Sequence, residues 1–171
     1  MFHTLFQSRK QTRTIRAEGI KFNYREIHVA QAAEEPPILL IGLHGHGSNE
    51  VQMETLVNLE PKRPFTYISL RGYLSLDGGY TWLRLSFSEG GVVVDEGDLQ
   101  QAVAKTAVFI QAMQQQYNIP ANKTFIIGYS LGAGLGLALD IGLSRVGGRN
   151  GRFNRPTSYH SQSPGPTRLA P

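Results

Sequence analysis

The sharpest chemical signal in the chain is Phe125-Ile-Ile-Gly128-Tyr129-Ser130-Leu131-Gly132-Ala133-Gly134. It reads as a strand, then Gly-x-Ser-x-Gly, then a helix. A serine at such a turn can serve as a nucleophile, because the strained backbone lifts its hydroxyl above the sheet. The flanking glycines keep side chains out of the tight strand–helix crossing. The helix starts at the nucleophile, so its N-terminal amides and dipole favour developing negative charge. The backbone N–H of Leu131, the residue after the serine, is then one oxyanion donor. Gly-x-Ser-x-Gly by itself is a weak pattern. The strand–turn–helix context makes it specific, against the plainer reading of a Gly-rich turn with a bystander serine.

A second constellation is Leu43-His44-Gly45-His46-Gly47-Ser48-Asn49, directly after an apolar run. A His-Gly-x-Gly turn at the end of a strand can aim a backbone N–H into the cleft, which would supply the other half of an oxyanion hole. Two further readings stand beside it. One is a His-x-His metal pair, which has no third ligand at helix or strand spacing. The other is a Gly-rich turn whose histidines satisfy local hydrogen bonds. A third stretch, Ser69-Leu-Arg71-Gly72-Tyr73 followed by Gly78-Gly79-Tyr80-Thr81-Trp82, forms a long loop with aromatics after a strand. Such loops line the ligand crevice of open α/β sheets. Trp82 is a candidate wall of an acyl pocket, or equally a core plug.

These motifs need elements to hold them. Residues 19–29 alternate as a half-buried strand, and Glu34-Glu35-Pro36-Pro37 breaks it. Ile38–Leu43 is a continuous apolar run bounded by turn residues, as in a strand buried on both faces. Phe65–Leu70 is a third strand, and a Gly-rich loop is expected from Arg71 to Gly91. Asp95, Glu96 and Asp98 open a helix on which Leu99, Val103, Thr106, Ile110 and Met113 recur at helical spacing. Asn118-Ile-Pro120 stops it. Lys123–Ile127 is a further short strand, and Leu131–Leu139 a helix. Strands alternating with helices indicate an α/β domain with a mostly parallel sheet.

The three motifs, in this order and at these separations, resemble the phospholipase/carboxylesterase family of α/β-hydrolases, which includes acyl-protein thioesterases. The resemblance covers roughly residues 20–140. It implies a partial α/β-hydrolase fold, Ser130 as nucleophile, and the His46 and Leu131 amides as the oxyanion hole. It further implies small-molecule carboxylic esters or acyl thioesters as substrates, and no cofactor.

The pattern departs from the family after Ser130. The mechanism needs a base and an acid to orient it, in the order Ser, Asp/Glu, His. Downstream of Ser130 the chain has one carboxylate, Asp140, and one histidine, His160. Asp140 falls ten residues along the following helix, about 15 Å up its axis at 1.5 Å per residue, away from the hydroxyl. His160 lies in a segment of Ser, Arg, Gly, Pro, Asn and Thr that lacks any apolar period. Neither is assigned to a triad. His44 and His46 are nearer substitutes for the base, but they precede the serine and sit in the oxyanion turn. The expectation is therefore a hydrolase domain over 19–143, with its later strands and catalytic acid and base missing. A catalytically dead or impaired hydrolase is the alternative. The strand at 124–127 would then be an open apolar sheet edge, available for self-association.

Composition bounds the rest. The 171 residues suit one domain, with no Cys for a disulfide scaffold, thiol nucleophile or Cys-ligated metal. The net charge of +4 hides a division: residues 1–16 carry +4, residues 141–171 carry +5, and the body between carries −5. The basic segment 1–18 reads as a short first strand or a loose terminus, and its acid-free start is weakly similar to a transit peptide. No apolar secretory stretch opens the chain, which suggests a cytoplasmic location, and no run reaches the ~18 residues of a membrane span. The tail 144–171 is expected to be disordered. Its five arginines, without lysine or any nucleic-acid motif, imply no nucleic-acid partner, and a binding module built on the tail is only a minor alternative.

Overall fold

The computed structural model describes residues 5–30, 37–57 and 64–146. The disorder expected for the tail therefore lies, from residue 147 on, outside the described residues, as does His160. The elements in chain order are β1 (Leu5–Ala17), β2 (Ile20–Ala30), β3 (Ile38–Leu43), a 3-10 turn (Gln52–Val57) and β4 (Phe65–Leu70). Two short hairpins follow, β5 (Leu74–Leu76) with β6 (Gly79–Thr81) and β7 (Leu85–Ser88) with β8 (Gly91–Val94). Then come α1 (Glu96–Tyr117), a 3-10 turn (Ala121–Lys123), β9 (Thr124–Gly128) and α2 (Leu131–Val146).

Five strands form the main sheet in the order β1-β2-β4-β3-β9. β4, β3 and β9 run parallel, while β1, β2 and β4 pair antiparallel. The sheet is thus mixed, its parallel half carrying the motifs and its antiparallel half extending it away from them. β4 lies between β2 and β3 and is buried throughout, its polar residues Thr66 and Ser69 included. The 71–91 loop is not structureless: Gly78 (φ +79°) and Gly91 (φ +113°) permit the turns that fold it into the two hairpins.

One face of the sheet packs Phe22, Tyr24, Leu39, Ile41, Leu43 and Ile68 against Phe109, Ile110 and Met113 of α1 and Leu135 and Leu139 of α2. The other face holds a smaller cluster of Ile27, Val29, Phe65 and Tyr67 under Met53 of the 3-10 turn, where the Tyr67 hydroxyl donates to the Met53 carbonyl at 2.8 Å. α1 begins where the sequence places it: the Asp95 carboxylate accepts the Asp98 N–H at 2.9 Å. It ends at Asn118, which adopts the left-handed cap at φ +52°.

β9 is the last strand of the sheet among the described residues, and its outer side is unpaired there. Phe125 is 50% and Ile127 37% exposed. β1, the opposite edge, differs in kind. It carries Arg9, Lys10, Arg13 and Arg16 and an irregular register between Arg9 and Arg13, features that discourage further pairing. α2 continues to Val146, three residues into the stretch whose composition reads as tail.

Candidate active site

All three motifs leave the sheet at the C-terminal ends of its parallel strands: His44 after β3, Arg71 after β4 and Ser130 after β9. This is where an open α/β sheet places its ligand crevice. The Tyr129 N–H donates to the Leu43 carbonyl at 3.0 Å, extending the β3–β9 ladder one residue. The chain then reverses at Ser130, whose φ of +51° lies in the left-handed region that a residue with a Cβ rarely enters. α2 begins at once, with the Ala133 N–H on the Ser130 carbonyl at 2.9 Å.

The flanking glycines are dictated by this crossing. A Cβ on Gly128 would lie 2.5 Å from the backbone of Ala133, and one on Gly132 would run into the carbonyl of Leu43. The Ser130 side is exposed. Gly45 faces it closely: a Cβ there would lie 3.4 Å from Cβ of Ser130 and 3.1 Å from the Tyr129 ring. The serine turn and the histidine turn therefore abut. Among the described residues, neither the His46 N–H nor the Leu131 N–H donates a hydrogen bond within the chain.

The two histidines differ. His46 is exposed, and its Nδ1 lies 2.9 Å from the Thr81 hydroxyl. That hydroxyl spends its proton on the Leu83 carbonyl at 3.0 Å, so Nδ1 of His46 is the donor. His44 is fully buried. Its Nδ1 is 2.7 Å from the Gly45 carbonyl, and its Nε2 accepts the Gly72 N–H at 2.9 Å. With both nitrogens engaged, His44 is no base for Ser130 and no metal ligand, which removes the His-x-His metal pair and leaves His46 alone of the two as a substitute base. No histidine or carboxylate bonds the Ser130 hydroxyl among the described residues. Asp140 is the tenth residue of α2, counting from Leu131.

Trp82 is 2% exposed and belongs to the main core cluster. Its indole N–H donates to the His44 carbonyl at 2.7 Å, and the two rings lie 4.8 Å apart. It supports the histidine turn from the core side.

An ion pair between half-buried Arg71 and buried Glu50 braces the same loops, and no motif announces it. Arg71 forks onto the Glu50 carboxylate, with Nε 2.8 Å from Oε2 and its second nitrogen on Oε1. Thr12 adds a bond to Oε1 at 2.8 Å. The guanidinium also lies 4.5 Å from the centre of the Tyr80 ring. The Tyr80 backbone in turn ties down the histidine turn, accepting from the Gly47 N–H at 3.0 Å and donating to the Ser48 carbonyl at 2.7 Å. Glu50 can be linked to the site only in three dimensions, because it is a lone acid on a loop. Arg71→Ala should destabilise the fold by about 3 kcal/mol, since it strands a buried carboxylate. Urea unfolding measures this, and Glu50→Gln in the Arg71→Ala background should recover part of the loss.

Burial pushes the His44 imidazole below its ordinary value near 6.5. Burial alone would raise Glu50, but the Arg71 fork outweighs it and holds the carboxyl below its ordinary range. The same holds for Glu26, whose burial is outweighed by bonds from Tyr117 and Arg13. All three groups bind more protons unfolded than folded, so stability rises with pH across their titration range. The expected result is a melting temperature that falls as pH drops below about 6.5, as His44 resists protonation, and falls more steeply below the ordinary carboxylate range. A flat profile between pH 7 and 4 would contradict these assignments.

The Phospholipase/Carboxylesterase family matches residues 24–162, extending past the 20–140 span that its motifs mark and taking in Asp140 and His160. No curated protein matches the chain. Among solved structures, a carboxylesterase from Mesorhizobium loti is 24% identical, with a TM-score of 0.56 over 69% of this chain and 53% of that one. The Bacillus cereus carboxylesterase is 27% identical, with a TM-score of 0.54 over 69% of this chain and 52% of that one. The chain thus spans about half the length of these two enzymes. With more than half of its own length matched by the family, the chain belongs to the phospholipase/carboxylesterase family of α/β-hydrolases.

Proposed function

We propose that this chain is a serine carboxylic-ester hydrolase working through a Ser130 acyl-enzyme, with acyl thioesters as the second substrate class. The observation that carries the reading is the left-handed Ser130, φ +51°, held between two sterically required glycines and against Gly45. In this reaction the Ser130 Oγ attacks the ester carbonyl and the carbonyl oxygen takes up the negative charge. The free N–H groups of His46 and Leu131 receive that charge, aided by the N-terminus of α2. Collapse expels the alcohol or thiol, which carries away the proton that Ser130 Oγ gave up, and leaves an ester on Ser130; water then cleaves that ester, releasing the carboxylic acid and returning a proton to Oγ. Trp82 acts here as the prop beneath the oxyanion turn rather than as a wall of the acyl pocket, because its ring is buried and its N–H is spent on His44.

The second reading is an impaired hydrolase. It is favoured by a specific observation: no base bonds Ser130 among the described residues, and both His44 nitrogens are occupied. A fluorophosphonate probe and a p-nitrophenyl ester separate the two. Labelling of Ser130 together with turnover that Ser130→Ala abolishes supports the first reading. Labelling without turnover supports the second. Folded protein that takes up no label at Ser130 overturns the nucleophile assignment.

A further inference from the structure

We infer that His44 is a positioning residue for the oxyanion turn: its neutral imidazole clamps the Gly45 carbonyl, so that the Gly45–His46 peptide presents its N–H to the crevice. The inference deepens the esterase reading and rests on it for its catalytic consequence. The proton inventory fixes the tautomer. The Gly72 N–H can only donate, so Nε2 of His44, 2.9 Å away, must carry the lone pair. The single ring proton is then on Nδ1, which donates to the Gly45 carbonyl at 2.7 Å.

A trans peptide holds its C=O and N–H on opposite sides of one plane. The Gly45 carbonyl is drawn to the fully buried His44, on the core side. The N–H of the same peptide, that of His46, must therefore point away from the core. On that side lie the exposed His46 and the abutting Ser130 turn. The same carbonyl also accepts the Ser48 N–H, at a longer 3.3 Å. Gly45 has no Cβ to hold its own rotation, so without the clamp only that longer bond resists turning of this peptide.

His44 is itself fixed at three points, two on its ring and one on its backbone. Gly72 supplies one, and the Trp82 indole holds the His44 carbonyl at 2.7 Å. The third is the ring contact with Trp82 at 4.8 Å. The charged groups nearest the ring are Glu50 and Arg71, which are engaged with each other, and Arg71 immediately precedes Gly72. Glu50, Arg71, Gly72, His44 and the Gly45–His46 peptide thus form one continuous brace that ends at the oxyanion donor.

Two substitutions split the two bonds of the ring. His44→Asn places an amide N–H where Nδ1 was and can keep the clamp on Gly45. His44→Gln places a carbonyl oxygen where Nε2 was, keeping the Gly72 bond and losing the clamp. The expected result for ester turnover is a kcat within about tenfold of wild type for H44N, the cost of one lost neutral hydrogen bond. For H44Q a kcat loss of roughly 100-fold or more is expected, with KM little changed, because only a charge-stabilising donor has been misaimed. If both variants lose activity in step with their melting temperatures, His44 is a packing residue and the inference fails. A readout independent of turnover is the 15N NMR signature of the wild-type imidazole at pH 7. A proton on Nδ1 and a bare Nε2 support the clamp; a proton on Nε2 or an imidazolium overturns it. Should Ser130 take up no fluorophosphonate while the Nδ1–H tautomer is intact, the esterase reading falls and the clamp stands.

Discussion

Ser130→Ala is expected to abolish covalent labelling and to lower ester turnover by at least ~10³-fold, while the protein stays folded. The size follows from the division of labour at a serine centre: without the nucleophile, only binding and the oxyanion donors remain, and these retain a residual ~10³–10⁴ over water. The fold should survive because alanine keeps the same backbone demands as serine and the hydroxyl bonds nothing among the described residues. Ser130→Gly should go further and stabilise the protein. A residue with a Cβ at φ +51° costs about 1–2 kcal/mol, and glycine removes that strain while adding ~0.5–1 kcal/mol of unfolded-chain entropy. The net gain of roughly 0.5–1 kcal/mol corresponds to a melting temperature about 2–3 °C higher for a chain of this size. A variant that is both inactive and more stable would show that the turn is strained for the sake of its hydroxyl. If Ser130→Gly instead melts lower than Ser130→Ala, the left-handed turn carries no strain worth relieving.

The second large effect is structural. Gly132→Ala should cost about 4 kcal/mol or more and leave little folded protein, because its methyl group would enter the space of the Leu43 carbonyl. That carbonyl already accepts the Tyr129 N–H at 3.0 Å, so it cannot move without breaking the β3–β9 junction. Gly134, two residues on, is the control. Nothing lies within 4 Å of a Cβ placed there, so Gly134→Ala should be neutral or should stabilise α2 by up to ~1 kcal/mol. Circular dichroism melts of the two variants decide the matter. Equal stability would mean that the strand–helix crossing is looser than its geometry implies. The pair also explains the sequence pattern physically. The first and last glycines of Gly128-Tyr-Ser-Leu-Gly132 are excluded-volume requirements, whereas the next glycine is a free choice.

Several parts of the site are legible in the order of residues alone. Gly128, Ser130 and Gly132 can be read because the elbow is local: strand, reversal and helix succeed one another within ten residues, and each leaves its own mark. The caps of α1 are legible for the same reason, with Asp95 at one end and Asn118 at the other. The 71–91 stretch reads as a loop because its strands are only three or four residues long, too short to establish a period. The direction of the sheet's far half is also hidden. Residues 5–17 carry many cations and few apolar residues, so alternation is faint there. Their pairing with β2 depends on a turn at Glu18 and Gly19 with positive φ, and on cross-strand partners such as Arg13 and Glu26.

The main elements, the family and the candidate nucleophile follow from the linear chain, because they rest on relations between near neighbours along it. What the two histidines do follows from three-dimensional packing. His44 and His46 are two residues apart in one motif, and composition cannot tell them apart. The fold buries one between Gly72 and Trp82, where both nitrogens are consumed, and leaves the other exposed beside Thr81. It likewise brings Glu50 onto Arg71 and Trp82 under His44, across separations of 21 and 38 residues. Such contacts depend on how β3 and β4 lie side by side, and no local pattern of residues can encode them.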